Sequence, residues 1–328
     1  MKALITGATG FIGSHLAERL VAEGIDIRIL CRETSNRRWI DHLDAEIVVA
    51  SLSNVESLHR AVEDVDFVYH IAGVVASRDR AGFFRGNVES TRNLLQAISE
   101  VNPGLRRFVH SSSQAAVGPA PSENEPADET WPLRPITTYG ESKAAAEEVV
   151  REFSDRLPVT IVRPPAVYGP RDVGIYTFFQ VAARGIAPLI GSDRKLVSLV
   201  HVDDLVRGFV LAGTSEAALG ETYFISSEEL YDWRQVGNVT ARILGRKRPL
   251  YLSIPHPVVH AVAAMSGSLG RFRKSPPILD REKGRDITQS FWICSVDKAR
   301  QELGYRQQTS IEDGVRQTIE WYRSQGWL

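Results

Sequence analysis

The 328-residue sequence contains only two cysteines, Cys31 and Cys294, and no surplus of either charge. Two cysteines cannot build a disulfide framework, and these two fall in no metal-ligand spacing, so we expect a cytoplasmic protein without a metal centre. With 39 Lys or Arg against 40 Asp or Glu, the net charge of −1 argues against a nucleic-acid partner.

Long hydrophobic runs and targeting signals are also missing. The longest apolar stretch, residues 257–269, is interrupted by polar residues and is too short to span a bilayer. Met1 and Lys2 lead directly into an apolar, strand-like segment, so we expect no signal peptide.

The first half of the chain alternates short apolar, β-branched runs with longer segments of helical periodicity. Strands are predicted at residues 3–6, 25–30, 46–49, 67–71, 107–111 and 159–163. Helices are predicted at residues 13–23, 55–62, 88–101 and 139–153, with a final helix at 310–324. Such alternation indicates parallel strands joined by right-handed crossovers.

We therefore predict an α/β fold, a Rossmann-type doubly wound parallel sheet with a smaller mixed α/β substrate lobe in the C-terminal half. The cofactor-binding core is expected to comprise residues 1–165, with 198–226 returning to it, and the lobe residues 166–197 and 227–328. Ligands of such sheets bind at the carboxyl ends of the strands. A loop rich in prolines and acids, residues 118–135, either closes over a substrate or is a plain surface excursion.

A glycine-rich turn follows the first predicted strand and opens the first predicted helix. Its residues are Gly7, Ala8, Thr9, Gly10, Phe11, Ile12 and Gly13. Without side chains, the glycines let backbone N–H groups approach a pyrophosphate at the positive end of a helix. A tight turn with no ligand would use the same residues, but the position after an apolar strand favours a dinucleotide.

The second strand is followed by Arg32, where an NAD-specific site usually has an acidic residue. Arg32, with Arg37 and Arg38 beyond it, can bind a 2′-phosphate through charge-assisted hydrogen bonds. NADP is therefore favoured, with NAD as the alternative. A solvated basic loop, tempered by Glu33, is the other interpretation.

Tyr139 and Lys143 are four residues apart and share one face of a predicted helix. The same spacing is common on ordinary exposed helices, and the neighbouring serine run is what favours a functional pair. An ammonium near the phenol would lower the pKa of Tyr139 from about 10, so that Tyr139 could act as a general acid or base. The run Ser111, Ser112 and Ser113 ends a predicted strand at the expected ligand crevice. A hydrogen-bonded turn is the alternative role of that run.

These motifs resemble the extended short-chain dehydrogenase/reductase family. The resemblance covers nearly the whole chain and includes three further stretches: His70-Ile71-Ala72-Gly73, Arg163-Pro164 with Val167-Tyr168-Gly169-Pro170, and His201-Val202-Asp203-Asp204. It implies catalytic roles for Ser113, Tyr139, Lys143 and Asn87. It also implies cofactor contacts from Ala72, Gly73, Ser111, Pro164 and Val167, and from Tyr139 and Lys143 as well. Relatives usually dimerise through the helices at 88–101 and 139–153, so a homodimer is expected.

Departures from the family pattern bear on the substrate. Ser51 stands where many relatives have an adenine-binding Asp, and residues 197–200 lack the cation with which nucleotide-sugar epimerases hold a pyrophosphate. Arg194 and Lys195 could substitute for it after a small register shift, but a less anionic substrate is the plainer inference. The pattern is more similar to the dihydroflavonol reductase and 3β-hydroxysteroid dehydrogenase branches. Residues 257–265 then either form a wall over an apolar ligand or belong to the core.

Three functions follow as hypotheses. The preferred one is reversible reduction of a carbonyl carbon in a small, apolar substrate. The second is epimerisation or dehydration of a nucleotide sugar with tightly bound NAD. The third is a cofactor-sensing protein without activity, against which the intact Ser113, Tyr139 and Lys143 argue.

Overall fold

The computed structural model describes residues 1–270 and 280–328. Its strands are β1 (Lys2–Thr6), β2 (Asp26–Cys31), β3 (Ala45–Val49), β4 (Phe67–His70), β5 (Arg107–Ser111), β6 (Val159–Arg163), β7 (Ala166–Tyr168), β8 (Ile186–Ile190), β9 (Leu196–His201), β10 (Thr222–Phe224), β11 (Leu230–Asp232), β12 (Leu250–Ile254) and β13 (Phe291–Trp292). Its α-helices are α1 (Phe11–Ala22), α2 (Val55–Val62), α3 (Arg80–Phe84), α4 (Ser90–Val101), α5 (Thr138–Glu152), α6 (Tyr176–Ala183), α7 (Val202–Thr214), α8 (Trp233–Ile243), α9 (His256–Gly270), α10 (Arg281–Thr288), α11 (Asp297–Glu302) and α12 (Ile311–Ser324).

Seven parallel strands form the main sheet in the order β10-β6-β5-β4-β1-β2-β3. The strand order reverses at β1, which lies between β2 and β4. In doubly wound sheets, a crevice for a ligand opens at this switch point, beyond the carboxyl ends of the strands. The predicted fold class is confirmed.

Helices cover both faces of this sheet and bury two apolar layers. On one face, α1 and α7 contribute Leu16, Leu20, Leu205 and Phe209 to one cluster. On the other face, α2, α4 and α5 bury a second set of apolar side chains, which are Leu58, Ala61, Leu94, Leu95, Ile98, Val149 and Val150. Burial on both faces explains why the strands read as continuous apolar runs rather than as alternating ones.

The predicted strands and N-terminal helices are all present, with ends that differ by at most two residues. The helix predicted from residue 88 begins as α4 at Ser90, because a π-helical segment, Arg85–Glu89, precedes it. Side chains fix other helix starts: Asn54 accepts a hydrogen bond from the Ser57 amide at 3.1 Å, and Thr137 accepts one from the Gly140 amide at 3.1 Å.

The described residues of the later part of the chain form two smaller sheets. One has the order β11-β9-β13, with β7 also pairing with β9, and the other consists of β12 and β8. Within residues 198–226, β9 belongs to the first of these small sheets, whereas α7 packs on α1 and β10 pairs with β6 of the main sheet. The division into core and lobe stays a prediction, and residues 271–279 of that lobe lie outside the described residues.

Hydrogen bonds hold the loop at residues 118–135 against the small sheet that contains β13. The Ala120 amide donates to the carbonyl of Phe291 at 2.8 Å, and the Ala127 amide donates to that of Ile293 at 3.1 Å. The Glu129 carboxylate accepts the Phe224 amide at 2.7 Å. The loop thus connects β10 of the main sheet with β13.

Candidate active site

The glycine turn lies at the carboxyl end of β1 and leaves no room for side chains at its two ends. Gly7 has a φ of +77°, and a Cβ there would lie 2.6 Å from the Ala72 nitrogen. A Cβ on Gly13 would lie 2.3 Å from the Gly7 carbonyl oxygen. Both positions therefore require glycine.

The same turn presents the first amides of α1. Gly10 is the N-cap and provides no side-chain cap, and Phe11 and Ile12 form the first turn beside the half-buried Thr9. Uncapped amides at a helix start suit a pyrophosphate, so this cradle fits a dinucleotide.

The stretch after β4 forms the wall opposite the turn. The Ala72 amide donates to the Thr6 hydroxyl at 3.3 Å. A Cβ on Gly73 would lie 3.1 Å from both the Lys143 Nζ and the Asn87 Oδ1. The backbone at Gly73 thus runs directly against the predicted catalytic lysine.

Asn87 lies in the π-helical segment and is buried with both ends of its amide occupied. Its Oδ1 accepts the Val74 amide at 2.7 Å. Its Nδ2 donates to the Val74 carbonyl at 3.0 Å and to the Ser142 hydroxyl at 2.8 Å. Asn87 therefore ties the wall at Val74 to α5, and its predicted catalytic role stays a prediction.

Tyr139 and Lys143 lie one turn apart near the start of α5, where β5 ends. The Lys143 ammonium donates to the Ser111 carbonyl at 2.8 Å, and burial lowers its pKa to about 8. The Ser113 side chain interacts with the Tyr139 phenol. The structure thus brings Ser111, Ser113, Tyr139 and Lys143 together.

The expectation of a lowered Tyr139 pKa is wrong for the chain by itself. Burial raises the pKa of the phenol above 10, and the interaction with Ser113 offsets this only in part. Moving a phenolate out of water costs more free energy than a hydrogen bond from one neighbouring hydroxyl contributes. Tyr139 is therefore a protonated acid at neutral pH.

A buried network beneath this group was missed by the sequence reasoning. Glu147, one turn beyond Lys143, accepts the Ser112 hydroxyl at 2.5 Å and two hydrogen bonds from Arg163, at 2.9 and 2.7 Å. Although burial opposes ionisation, Arg163 together with Ser112 and Arg151 holds the pKa of Glu147 below its usual range. The signal available in the sequence was spacing, because Tyr139, Lys143 and Glu147 recur every four residues on one face of α5.

A second residue that the sequence did not suggest is Glu282 of α10. Its carboxylate accepts the Thr138 amide at 2.8 Å and the Thr138 hydroxyl at 2.6 Å. Thr138 directly precedes Tyr139, so this contact fixes the start of α5 to the C-terminal part of the chain. An anionic side chain is also favourable at a helix N-terminus.

The remaining predicted cofactor residues lie at the same edge of the sheet. Pro164 follows β6, and its carbonyl accepts the Gln114 amide at 2.9 Å, next to Ser113. Val167 lies in β7, in register with Val200 of β9. Pro164 and Val167 therefore occupy the segment that leads from the main sheet into the small one.

Arg32 follows β2 with its side chain exposed. Its backbone amide donates to the Ser35 hydroxyl at 3.1 Å, and within residues 1–270 and 280–328 its guanidinium has no ion-pair partner. Arg38, in contrast, stacks over the Trp39 ring at 4.2 Å.

Among the described residues, no group of His, Cys, Asp and Glu side chains is arranged to hold a metal ion.

The two cations near residues 197–200 are committed to other partners. Arg194 forms an ion pair with Glu123. The Lys195 ammonium is buried and donates to Asp193 and to the carbonyls of Thr288 and Gln289. Lys195 is therefore not available to replace the cation that residues 197–200 lack, whereas the Arg194–Glu123 pair is exposed at the surface.

Comparison with known proteins gives concordant matches. A model of the NAD dependent epimerase/dehydratase family matches residues 3–226. The chain is 29% identical over 325 residues to the ceramide reductase of Caulobacter vibrioides (strain NA1000 / CB15N). This alignment covers 99% of this chain and 95% of that protein. It is 31% identical over 348 residues to sterol demethylase protein B of Methylococcus capsulatus (strain ATCC 33009 / NCIMB 11132 / Bath), with 100% of both covered.

A solved structure gives the same result for the fold. UDP-glucose 4-epimerase of Thermus thermophilus, in complex with NAD, aligns with a TM-score of 0.78 and 25% identity. The alignment covers 98% of this chain and 99% of that one.

Among the described residues, no helix is both long and apolar enough to cross a bilayer.

Proposed function

This chain belongs to the NAD-dependent epimerase/dehydratase family, and we propose that it reduces the carbonyl carbon of an apolar, lipid-like substrate. The predicted resemblance to the extended short-chain dehydrogenases is thereby confirmed, and the protein is an oxidoreductase. The observation that carries the proposed reaction is the meeting of Ser113, Tyr139 and Lys143 beside Gly73, at the edge that also bears the glycine turn.

The glycine turn and its surroundings hold the cofactor. The Gly10 amide donates to the Gly7 carbonyl at 3.0 Å, so the amides of Phe11, Ile12 and Gly13 would hold the pyrophosphate. Ala72, Gly73, Ser111, Pro164 and Val167 would line the rest of the site. When bound there, NAD(P)H would supply the hydride for the carbonyl carbon. Every other step belongs to side chains of this protein.

The proton comes from Tyr139. Its raised pKa keeps the phenol protonated, so it donates its proton to the substrate oxygen as that oxygen gains negative charge. Ser113 donates a hydrogen bond to the same oxygen. Lys143 stabilises the phenolate until a proton from solvent restores the phenol, and Asn87 positions α5 through Ser142.

Two observations support an apolar substrate: the partners of the cations near residues 197–200, and the substrates in the names of two relatives. Lys195 is buried among its acceptors and Arg194 is paired with Glu123, so the described residues 194–200 offer no unpaired cation to a nucleotide diphosphate. Two relatives of the chain are a ceramide reductase and a sterol demethylase protein. A long-chain ketone therefore fits better than a nucleotide sugar.

NADP is the proposed cofactor, with NAD as the alternative. The guanidinium of Arg32 is exposed at the end of β2 without an ion-pair partner among the described residues, which suits a 2′-phosphate. A cytoplasmic homodimer that pairs through α4 and α5, and the division into a core and a lobe, complete the proposal.

The second candidate is a nucleotide-sugar epimerase or dehydratase with tightly bound NAD. The likeness to UDP-glucose 4-epimerase favours it, because that enzyme was solved with NAD. Net consumption of the cofactor distinguishes the two candidates, since an epimerase returns its NAD unchanged.

The test begins with fluorescence titration of the purified protein by NADPH and by NADH. We expect tighter binding of NADPH, and we expect Arg32→Ala to weaken it about tenfold to a hundredfold, the effect of losing a hydrogen bond to a charged group. Arg323→Ala, which removes another exposed arginine, is the matched control. Tightly retained NAD in the protein as isolated, with no NADPH preference, would support the epimerase instead.

A further inference from the structure

One continuous segment of the chain carries positive charge without any acidic residue. Between Trp233 and Leu279 the sequence has eight Lys or Arg and no Asp or Glu, although the whole chain is almost neutral. In the described part of this segment, Arg246, Lys247 and Arg248 are consecutive and exposed. Lys247 and Arg248 have no hydrogen-bond or ion-pair partner among residues 1–270 and 280–328.

The strand that follows these cations has an uncovered apolar face. The other face of β12 packs on α8, where the Tyr251 hydroxyl donates to the Arg234 carbonyl at 3.0 Å. Side chains alternate along a strand, so Leu250 and Leu252 point away from α8. They are 68% and 53% exposed.

Helix α9 begins two residues after β12 and also has an exposed apolar face. Its inner side is buried at Val259 and Ala263, and a Cβ on Gly284 of α10 would lie 2.9 Å from the Ala263 Cβ. The outer side exposes Val258, Val262 and Met265 by 48%, 43% and 60%. Since a helix face in water is normally polar, this face is built to be covered.

We propose that α9 and the outer face of β12 dock the protein on a lipid bilayer that contains anionic phospholipids. The exposed apolar side chains enter the boundary between headgroups and acyl chains, and Arg246, Lys247 and Arg248 contact the lipid phosphates. The binding is peripheral. Docking involves surface residues alone, so it can fail while the proposed reaction stands, and the reverse also holds.

Charge favours a bilayer over a second copy of the chain. A two-fold interface would place this segment against its own copy, bringing like charges together with no acid in the segment to pair with them. An anionic membrane surface has the complementary charge.

The test is sedimentation of the full chain with vesicles of phosphatidylcholine alone and of phosphatidylcholine with phosphatidylglycerol. We expect binding to the anionic vesicles, weakened by high salt, and little binding to phosphatidylcholine. Replacing Arg246, Lys247 and Arg248 with Gln should weaken binding about fivefold for each cation removed. Val258, Val262 and Met265 replaced with Gln should weaken it further.

Matched controls carry equal changes elsewhere on the surface. Arg60, Arg316 and Arg323→Gln remove three other exposed cations, and Val49, Val101 and Leu219→Gln replace three other exposed apolar residues. Circular dichroism of every variant checks that the fold is intact. Equal binding to both vesicle types, no binding at all, or equal losses in the controls would overturn docking on anionic lipid. So would a native mass that falls from dimer to monomer in the α9 variant alone, because that marks a subunit interface.

Discussion

Removal of the Glu147 carboxylate should destabilise the protein strongly, because it leaves a buried guanidinium without its partner. Arg163 is 2% exposed and donates two hydrogen bonds to Glu147. In Glu147→Ala both acceptors are lost, and the Ser112 hydroxyl loses its acceptor as well.

The magnitude follows from the burial of the pair. Breaking a buried ion pair by removing one partner costs about 3–5 kcal/mol. An unfolding entropy of about 2.1 cal/mol/K per residue gives about 0.7 kcal/mol/K for the 328 residues. If the chain unfolds as one unit, the melting temperature should fall by about 4–7 °C.

Thermal unfolding followed by circular dichroism measures this change. Glu148→Ala is the matched control, because Glu148 is the next residue of α5 and is exposed. The double variant with Met at both Glu147 and Arg163 should regain much of the loss, since it removes the stranded charge. Equal melting temperatures for Glu147→Ala and Glu148→Ala would refute the role assigned to the network.

Two further predictions concern the glycine turn and acid stability. Gly7→Ala should abolish cofactor binding, because its Cβ would meet Ala72, whereas Gly24→Ala, with a similar φ of +74° but open space, should bind normally in the same titration. Burial and Lys143 lower the pKa of His70 to about 3, so the unfolded chain binds more protons below about pH 6.5 and stability is lost there. Between about pH 7.5 and 5 the contribution of His70 lowers the free energy of unfolding by about 2 kcal/mol. Denaturant titrations of His70→Gln should therefore show a loss that is smaller by this amount. Parallel pH profiles in the two proteins would contradict the prediction.

The sheet and its helices were predictable from the sequence because burial on both faces leaves a simple pattern of apolar runs. The glycine turn was predictable for a similar reason, since only glycine fits at Gly7 and Gly13. The site residues on β5 and α5 followed from their positions at strand ends and one helical turn apart.

Other features depend on contacts distant in sequence, which no local pattern encodes. Glu282 reaches Thr138 from 144 positions away. The sign of the Tyr139 pKa shift was mispredicted for the chain by itself, because the spacing to Lys143 indicates a neighbouring charge but not how deeply the phenol is buried. The π-helical segment that directs Asn87 towards Val74 and Ser142 likewise has no local signature in the sequence.

Net reduction of an apolar ketone, with Tyr139 as the proton donor, is the central claim. Its most direct test follows NADPH consumption and alcohol formation with a long-chain keto lipid, in wild type and Tyr139→Phe. We predict one alcohol formed for each NADPH consumed, and a rate at saturating NADPH about 10²–10⁴-fold lower in Tyr139→Phe. Conversion of a nucleotide sugar without net cofactor consumption, or an unchanged rate in Tyr139→Phe, would contradict the account.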